Sequence, residues 1–352
     1  MKERLIYIDQ LRGIAILLVV MGHFLQYNTV EATDNKLFSG IYSFHMPLFM
    51  FISGYVAFKT TKISIFDNYY AFLTKKATSL LLPFFAWPLL VNKFFFTNEF
   101  NYDFITTLRL LVTDPRIELW FLWYLFFLSI LYSVFLLVSS LINKRNSIII
   151  DACIVIGLLA LLFLLHVLHV AVYIDSFIQY FGFFFVGVFL AKYDVLQKIV
   201  LNINIFSIFL ITFIVLCQQY SFNDPDFHSA GFNLILKVVI STSAIAALYY
   251  IVRNIRWNSY LDRVLRLWGT YSIVIYTTHF SFIEILSKQY LLPPMHVFFL
   301  IIIDLSISIL IILACMAIFR IVELSPPLNL FLYGNKKMIS GNKNDESITN
   351  VH

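Results

Sequence analysis

The sequence predicts an all-α fold, a polytopic transmembrane bundle of about ten helices with both termini cytoplasmic. Three observations carry that prediction. First, 60% of the 352 residues are hydrophobic and only 13% are charged, with a mean hydropathy of +0.84. A soluble domain is about a quarter charged, so this chain lacks the coat a water-soluble enzyme needs. Second, apolar runs of about 20 residues, long enough to cross a hydrocarbon core as helices, recur from end to end. The short alternating strands of a β-barrel do not appear. Third, lysine and arginine gather in alternate loops. The net charge of +5 comes from 25 basic and 20 acidic residues spread along the chain, which argues against disorder and against a nucleic-acid partner.

The spans follow in order, beginning with 5–27. This first run contains Asp9 and Arg12, and no small-residue cleavage site follows it, so it reads as a retained helix and not a signal peptide. The second, 41–59, opens near His45 and places Pro47 in the first turn, where a missing N–H is tolerated. The third, 79–97, is the least apolar, interrupted by Asn92 and Lys93. The fourth, 119–141, begins with Trp120, Trp123 and Tyr124, which read as an interfacial aromatic belt. Spans 148–170 and 173–191 read as two helices or one re-entrant pair. Spans 203–221 and 231–252 follow, the second holding Lys237. The ninth, 268–290, holds Tyr276 and His279. The tenth, 295–322, lies between Pro293-Pro294 and Pro326-Pro327. Residues 1–334 form one membrane domain, and the polar tail 335–352 is expected to be disordered. No internal repeat is visible, which weakens a transporter built from inverted halves.

Orientation follows from the loops. With the N-terminus inside, about 18 basic residues fall on the inner side and about 6 on the outer. Four of the inner ones, Arg253, Arg256, Arg263 and Arg266, share one loop that anchors the chain or meets an anionic group. Cys153, Cys217 and Cys315 sit singly, without the spacing of a zinc site or a disulfide framework. His166 and His169 are three residues apart on one helix face, but no third ligand accompanies them, so no metal is expected.

Ionisable groups inside a bilayer are expensive and mark function by default. Asp9, Arg12 and His23 are the densest set. Arg12 and His23 are eleven residues apart, hence on one helix face and about 16 Å apart along the axis. Gln26 extends that face, while Gly13, Ala15 and Gly22 leave room for a neighbouring helix. Asp9 also stands at ion-pairing distance in sequence from Arg12. A second cluster runs from His45 to Ser53 and Gly54, and a third is Tyr276 with His279. Glu284 and Asp304 are further acids within the last two spans.

These segments resemble the membrane acyltransferase-3 family, whose members acylate, mostly acetylate, sugars of surface polysaccharides. Tyr7-Ile8-Asp9-Gln10-Leu11-Arg12-Gly13 with His23 is similar to the family's first helix. Ser43-Phe44-His45-Met46-Pro47 through Ser53-Gly54-Tyr55 is similar to its second, nearest the fucose O-acetylase branch. Leu119-Trp120-Phe121-Leu122, Phe183 to Gly187, and Tyr276-Thr277-Thr278-His279 match later helices in family order. One position departs: Lys76 fits the first of two basic residues spaced three apart, but Ser79 stands at the second, with Lys75 as a substitute.

The resemblance implies a bacterial cell-membrane O-acyltransferase with acetyl-CoA as co-substrate and no permanently bound cofactor. The acceptor would be a glycan or lipid-linked sugar, and polysaccharide-synthesis proteins would be partners. The chemistry needs a base near neutral pH for the attacking hydroxyl, which imidazole supplies. It also needs donors for the developing oxyanion and cations for the phosphates of the donor. His23 is expected as general base, with Arg12 positioned by Asp9. Lys75 and Lys76 are expected to bind the donor, and His45, Ser53, Tyr276 and His279 to line the acceptor or oxyanion site. A flippase or transporter of polysaccharide intermediates is the alternative. Clustering of polar residues in three helices, with no continuous path through paired halves, favours the enzyme.

Overall fold

The computed structural model describes residues 5–30, 32–61, 65–96, 104–114, 119–168, 174–220, 222, 230–287 and 291–335. The predicted polar tail beyond 335 lies outside the described residues. In chain order the helices are α1 (Ile6–Asn28), α2 (Lys36–Thr60), α3 (Ile65–Lys76), α4 (Leu82–Ala86) and α5 (Phe104–Thr113). There follow α6 (Trp120–Ile142), α7 (Ile148–Val167), α8 (Ile174–Lys192), α9 (Asp194–Val200) and α10 (Ile203–Gln219). The last are α11 (Ala230–Asn254), α12 (Ser259–Thr270), α13 (Ser272–Ser287), α14 (Val297–Val322) and α15 (Pro326–Tyr333). Among the described residues each predicted span overlaps helical structure. Among the described residues six helices are long and apolar enough to cross a membrane: α1, α2, α6, α7, α11 and α14. The α9–α10 pair, bent by 64°, makes a seventh if it is one span. Phe177–Lys192 of α8 and all of α13 are shorter apolar helices.

The third predicted span is not a regular α-helix. π-helical winding at Ala77–Leu81 and Trp87–Phe96 flanks the short α4. Pro83 and Pro88 each remove an amide donor in this stretch, and looser winding is a recognised accompaniment of such breaks. α7 and α8 are two helices, of which α7 is long and apolar enough to cross a membrane and Phe177–Lys192 of α8 is shorter. They are tied by Asp151, fully buried, which accepts from Ser139, Asn143, Tyr193 and Lys192.

Pro47 stands in the middle of α2 and not in its first turn. The helix starts early because the Asn35 side chain accepts from the Leu37 N–H at 2.8 Å, an N-cap. A proline at this depth cannot donate to the carbonyl four residues back, which is that of Ser43. The buried Ser241 hydroxyl of α11 fills the gap, 2.6 Å from that oxygen and 2.7 Å from the Lys237 carbonyl.

Two close crossings fix the bundle around the first two helices. A Cβ on Gly54 would lie 1.8 Å from the Phe184 carbonyl oxygen, and one on Gly187 would lie 2.0 Å from that of Phe51. α2 and α8 therefore touch backbone to backbone. α1 and α12 do the same, through Gly13 against Leu265 and Gly269 against Asp9. The side chains of Gln10 and Asp262 add a 2.6 Å hydrogen bond across that crossing. α12 is also where Arg263 and Arg266 lie, so they belong to an amphipathic helix and not to a loop. Its buried Leu265 and Trp268 recur at helical spacing and hold it against the bundle.

The aromatic residues at the start of α6 pack against other rings of the bundle. Tyr124 is buried, Trp120 stacks on Tyr180 at 5.1 Å between centroids, and Trp123 meets Phe84 at 5.2 Å.

Candidate active site

α1 runs unbroken from Ile6 to Asn28, so Arg12 and His23 share one face about 16 Å apart along the axis. At the His23 level three histidines converge. His23 Nδ1 is 2.8 Å from Nε2 of His279, on α13. His45, on α2, is 3% exposed and is an electrostatic neighbour of His23. Both partner rings are tethered to their own helices. Nδ1–H of His279 donates to the Ile275 carbonyl at 2.9 Å, and Nδ1–H of His45 donates to the Ile41 carbonyl at 2.9 Å.

Aromatic side chains wall this cluster. Tyr276 lies 6.0 Å from the His279 ring and 5.4 Å from Phe121, while Phe121 also meets Phe49. Phe280 stands edge-on to His23 at 6.0 Å. Tyr42 packs on His45 at 4.7 Å, lies 6.3 Å from His23, and donates its hydroxyl to the Gln26 side-chain oxygen. Tyr42 was not singled out from the sequence. Its signal was its place one helical turn before His45, on the same face. Ser53 is half-buried, eight residues beyond His45 on α2. That separation is about 12 Å along the axis, so Ser53 stands below the histidines, on the way to the level of Arg12.

The other end of α1 carries the cations. Lys76 closes α3, with Lys75 exposed beside it. Burial and the positive charges of Lys75 and Arg12 pull the Lys76 ammonium down to about 8. Arg12 is thus brought from another helix to the lysine pair. Asp9 lies one turn before Arg12, where its backbone carbonyl meets Gly269 of α12. Ser79, at the position where a second basic residue was expected, bonds the Lys76 carbonyl at 3.3 Å and lies against Gly334 after α15. The second charge beside Lys76 is therefore supplied by its neighbour in sequence and by α1.

Among the described residues no group of three His, Cys, Asp or Glu is arranged to hold a metal. His169 lies outside the described residues. A shallow depression of about 350 Å³, lined by Val195, Lys198, Ile199, Asn202 and Ile205, contains none of these site residues.

Residues 5–320 match the acyltransferase domain family. The chain is also similar to nodulation protein NolL of Sinorhizobium fredii, 35% identical over 157 residues, or 42% of each chain. It is 36% identical to nodulation protein NolL of Mesorhizobium japonicum over 131 residues, 36% of this chain and 34% of that one. The chain thus spans less than half the length of the curated relatives it matches. No solved structure matches it.

Proposed function

The chain belongs to the acyltransferase domain family, and we propose that it is an integral-membrane O-acyltransferase of a bacterial cell membrane. In this reading it moves an acetyl group from acetyl-CoA to a hydroxyl of a surface polysaccharide or its lipid-linked precursor, and His23 is the general base. The observation that carries the proposal is the pairing of two polar centres on one helix. Histidines meet around His23, and cations meet around Arg12 about 16 Å away. An extended pantetheine arm suits such an offset, with its phosphates on the cations and its thioester at the histidines.

His23 accepts the proton of the sugar hydroxyl as that oxygen attacks the thioester carbonyl. The C–O bond forms, the C–S bond breaks, and the thiolate of CoA leaves with the proton from the imidazolium. The products are the sugar ester and free CoA. Arg12, held by Asp9, binds the donor with Lys75 and Lys76. His45, whose Nδ1–H is committed to Ile41, has in its neutral form an acceptor at Nε2, which suits a sugar hydroxyl. The Tyr276 hydroxyl, beside the His279 ring, is the neutral donor left for the oxyanion, while Ser53, about 12 Å along α2 from His45, lies beside the path of the donor arm. Residues 1–334 make one catalytic unit with cytoplasmic termini and about ten membrane crossings.

Mass analysis of the surface glycan tests this. A strain lacking the native gene, complemented at matched membrane levels, should carry O-acetyl groups with wild type and none with His23→Ala. Equal O-acyl content in both would overturn the assignment.

A further inference from the structure

We infer that His279 is a positioning residue that fixes the tautomer of His23, so that the lone pair of His23 is held at Nε2. The inference rests on the reading of His23 as base, but the arrangement of hydrogens follows from geometry alone. A carbonyl oxygen can only accept, so the 2.9 Å contact with Ile275 puts the hydrogen on Nδ1 of His279. In the neutral ring Nε2 then has a lone pair and no hydrogen. The 2.8 Å contact between this nitrogen and His23 Nδ1 needs one hydrogen, which must come from His23. His23 is therefore protonated at Nδ1, and its Nε2 is the basic atom, on the ring edge turned away from His279.

The ring placement is that of a directed bond. The two planes are inclined by 11° and the centroids are 5.1 Å apart. That separation is the N···N distance lengthened by one ring radius at each end. The rings lie side by side, nearly coplanar, with the bond along the line of their centres. It is not a face-to-face stack. This is the orienting part of a nucleophile–base–orienter array, with a neutral imidazole as the third group. The chain of orientation begins in the backbone. The α13 carbonyl of Ile275 sets His279, and His279 sets His23. When His23 takes a proton at Nε2, its Nδ1–H bond to His279 becomes charge-assisted and strengthens. A donor-only group at position 279 would instead turn the His23 lone pair inward, leaving an N–H towards the substrate.

Two measurements test this. The first is nitrogen NMR of histidine-labelled full-length protein in nanodiscs, with His23 assigned by its loss in His23→Ala. A protonated Nδ1 and an unprotonated Nε2 on His23 are expected, with Nε2 becoming the protonated site or the two averaging in His279→Ala. A protonated Nε2 on wild-type His23 would overturn the inference. The second is CoA release from acetyl-CoA, with alkali-treated surface glycan as acceptor. His279→Ala should lower kcat by about 10²–10⁴-fold, as loss of an orienting partner does, while KM for acetyl-CoA stays within about threefold. His279→Gln, whose side-chain oxygen can still accept from His23 Nδ1–H, should recover at least about tenfold of that loss. Full activity in His279→Ala with an inactive His23→Ala would refute the positioning role and leave the base intact. Activity in His23→Ala would refute the base, and the nitrogen signals would still judge the tautomer. Should His279→Ala fail to fold, the wild-type signals and the Gln variant decide.

Discussion

Lys76 links one side chain's surroundings to a measurable pH response. Burial and two neighbouring cations lower its pKa to about 8, so it is charged below that pH and neutral above it. Between about 8 and the ordinary lysine value the unfolded chain binds more protons, so the stability cost of this cation is relieved as pH rises. Binding of the proposed acyl-CoA donor runs the other way, because its phosphates need the charge. The apparent KM for acetyl-CoA is expected to rise by up to about tenfold between pH 7 and pH 9. In Lys76→Arg, which stays charged, that rise should largely disappear, and parallel pH profiles for the two proteins would remove Lys76 from the donor site. At this scale much was legible in advance. Arg12, His23, His45 and His279 stand out because ionisable groups are costly in a membrane helix. The electrostatic reach of Arg12 to Lys76 was not legible, since 64 positions of sequence separate them and only the tertiary fold brings the two charges near each other.

Among the elements, α2 shows how one helix accommodates a local fault. Pro47 strands the Ser43 carbonyl inside the bundle, and Ser241 of α11 supplies the missing hydrogen. Ser241→Ala should leave that oxygen buried without this donor, costing about 1–3 kcal/mol. Thermal unfolding in detergent should show a lowered Tm with the helical content of the folded state unchanged, whereas an unaltered Tm would mean the bond contributes nothing. The sequence placed Pro47 in a first turn because apolar periodicity alone marks where a span enters lipid. It does not mark where a helix begins, and Asn35 starts α2 outside the apolar run. The same limit applies to α12 and α13. The apolar window 268–290 took in only the end of α12, which is amphipathic and packs its own face against α1, and α13 begins afresh at Ser272.

For the whole molecule, the charge bias makes a topological prediction. In a background without Cys153, Cys217 and Cys315, a cysteine replacing exposed Lys36 should react with an impermeant thiol reagent applied outside intact cells. One replacing exposed Lys144 should react only after the membrane is opened. The reverse pattern would invert the topology and with it the side from which the donor enters. The sequence by itself determined the membrane class, the helical positions of the predicted spans and the identities of the polar residues within them. Hydropathy and the cost of buried charge are local properties that composition reports directly. Tertiary structure alone decided which of those residues meet. The His23–His279 bond joins helices more than 250 residues apart. It exists because α1 and α13 pack together and the Ile275 carbonyl orients the second ring. Long-range packing of this kind depends on the whole set of helix crossings, including the glycine contacts of α1 with α12 and of α2 with α8, and no segment read alone contains it.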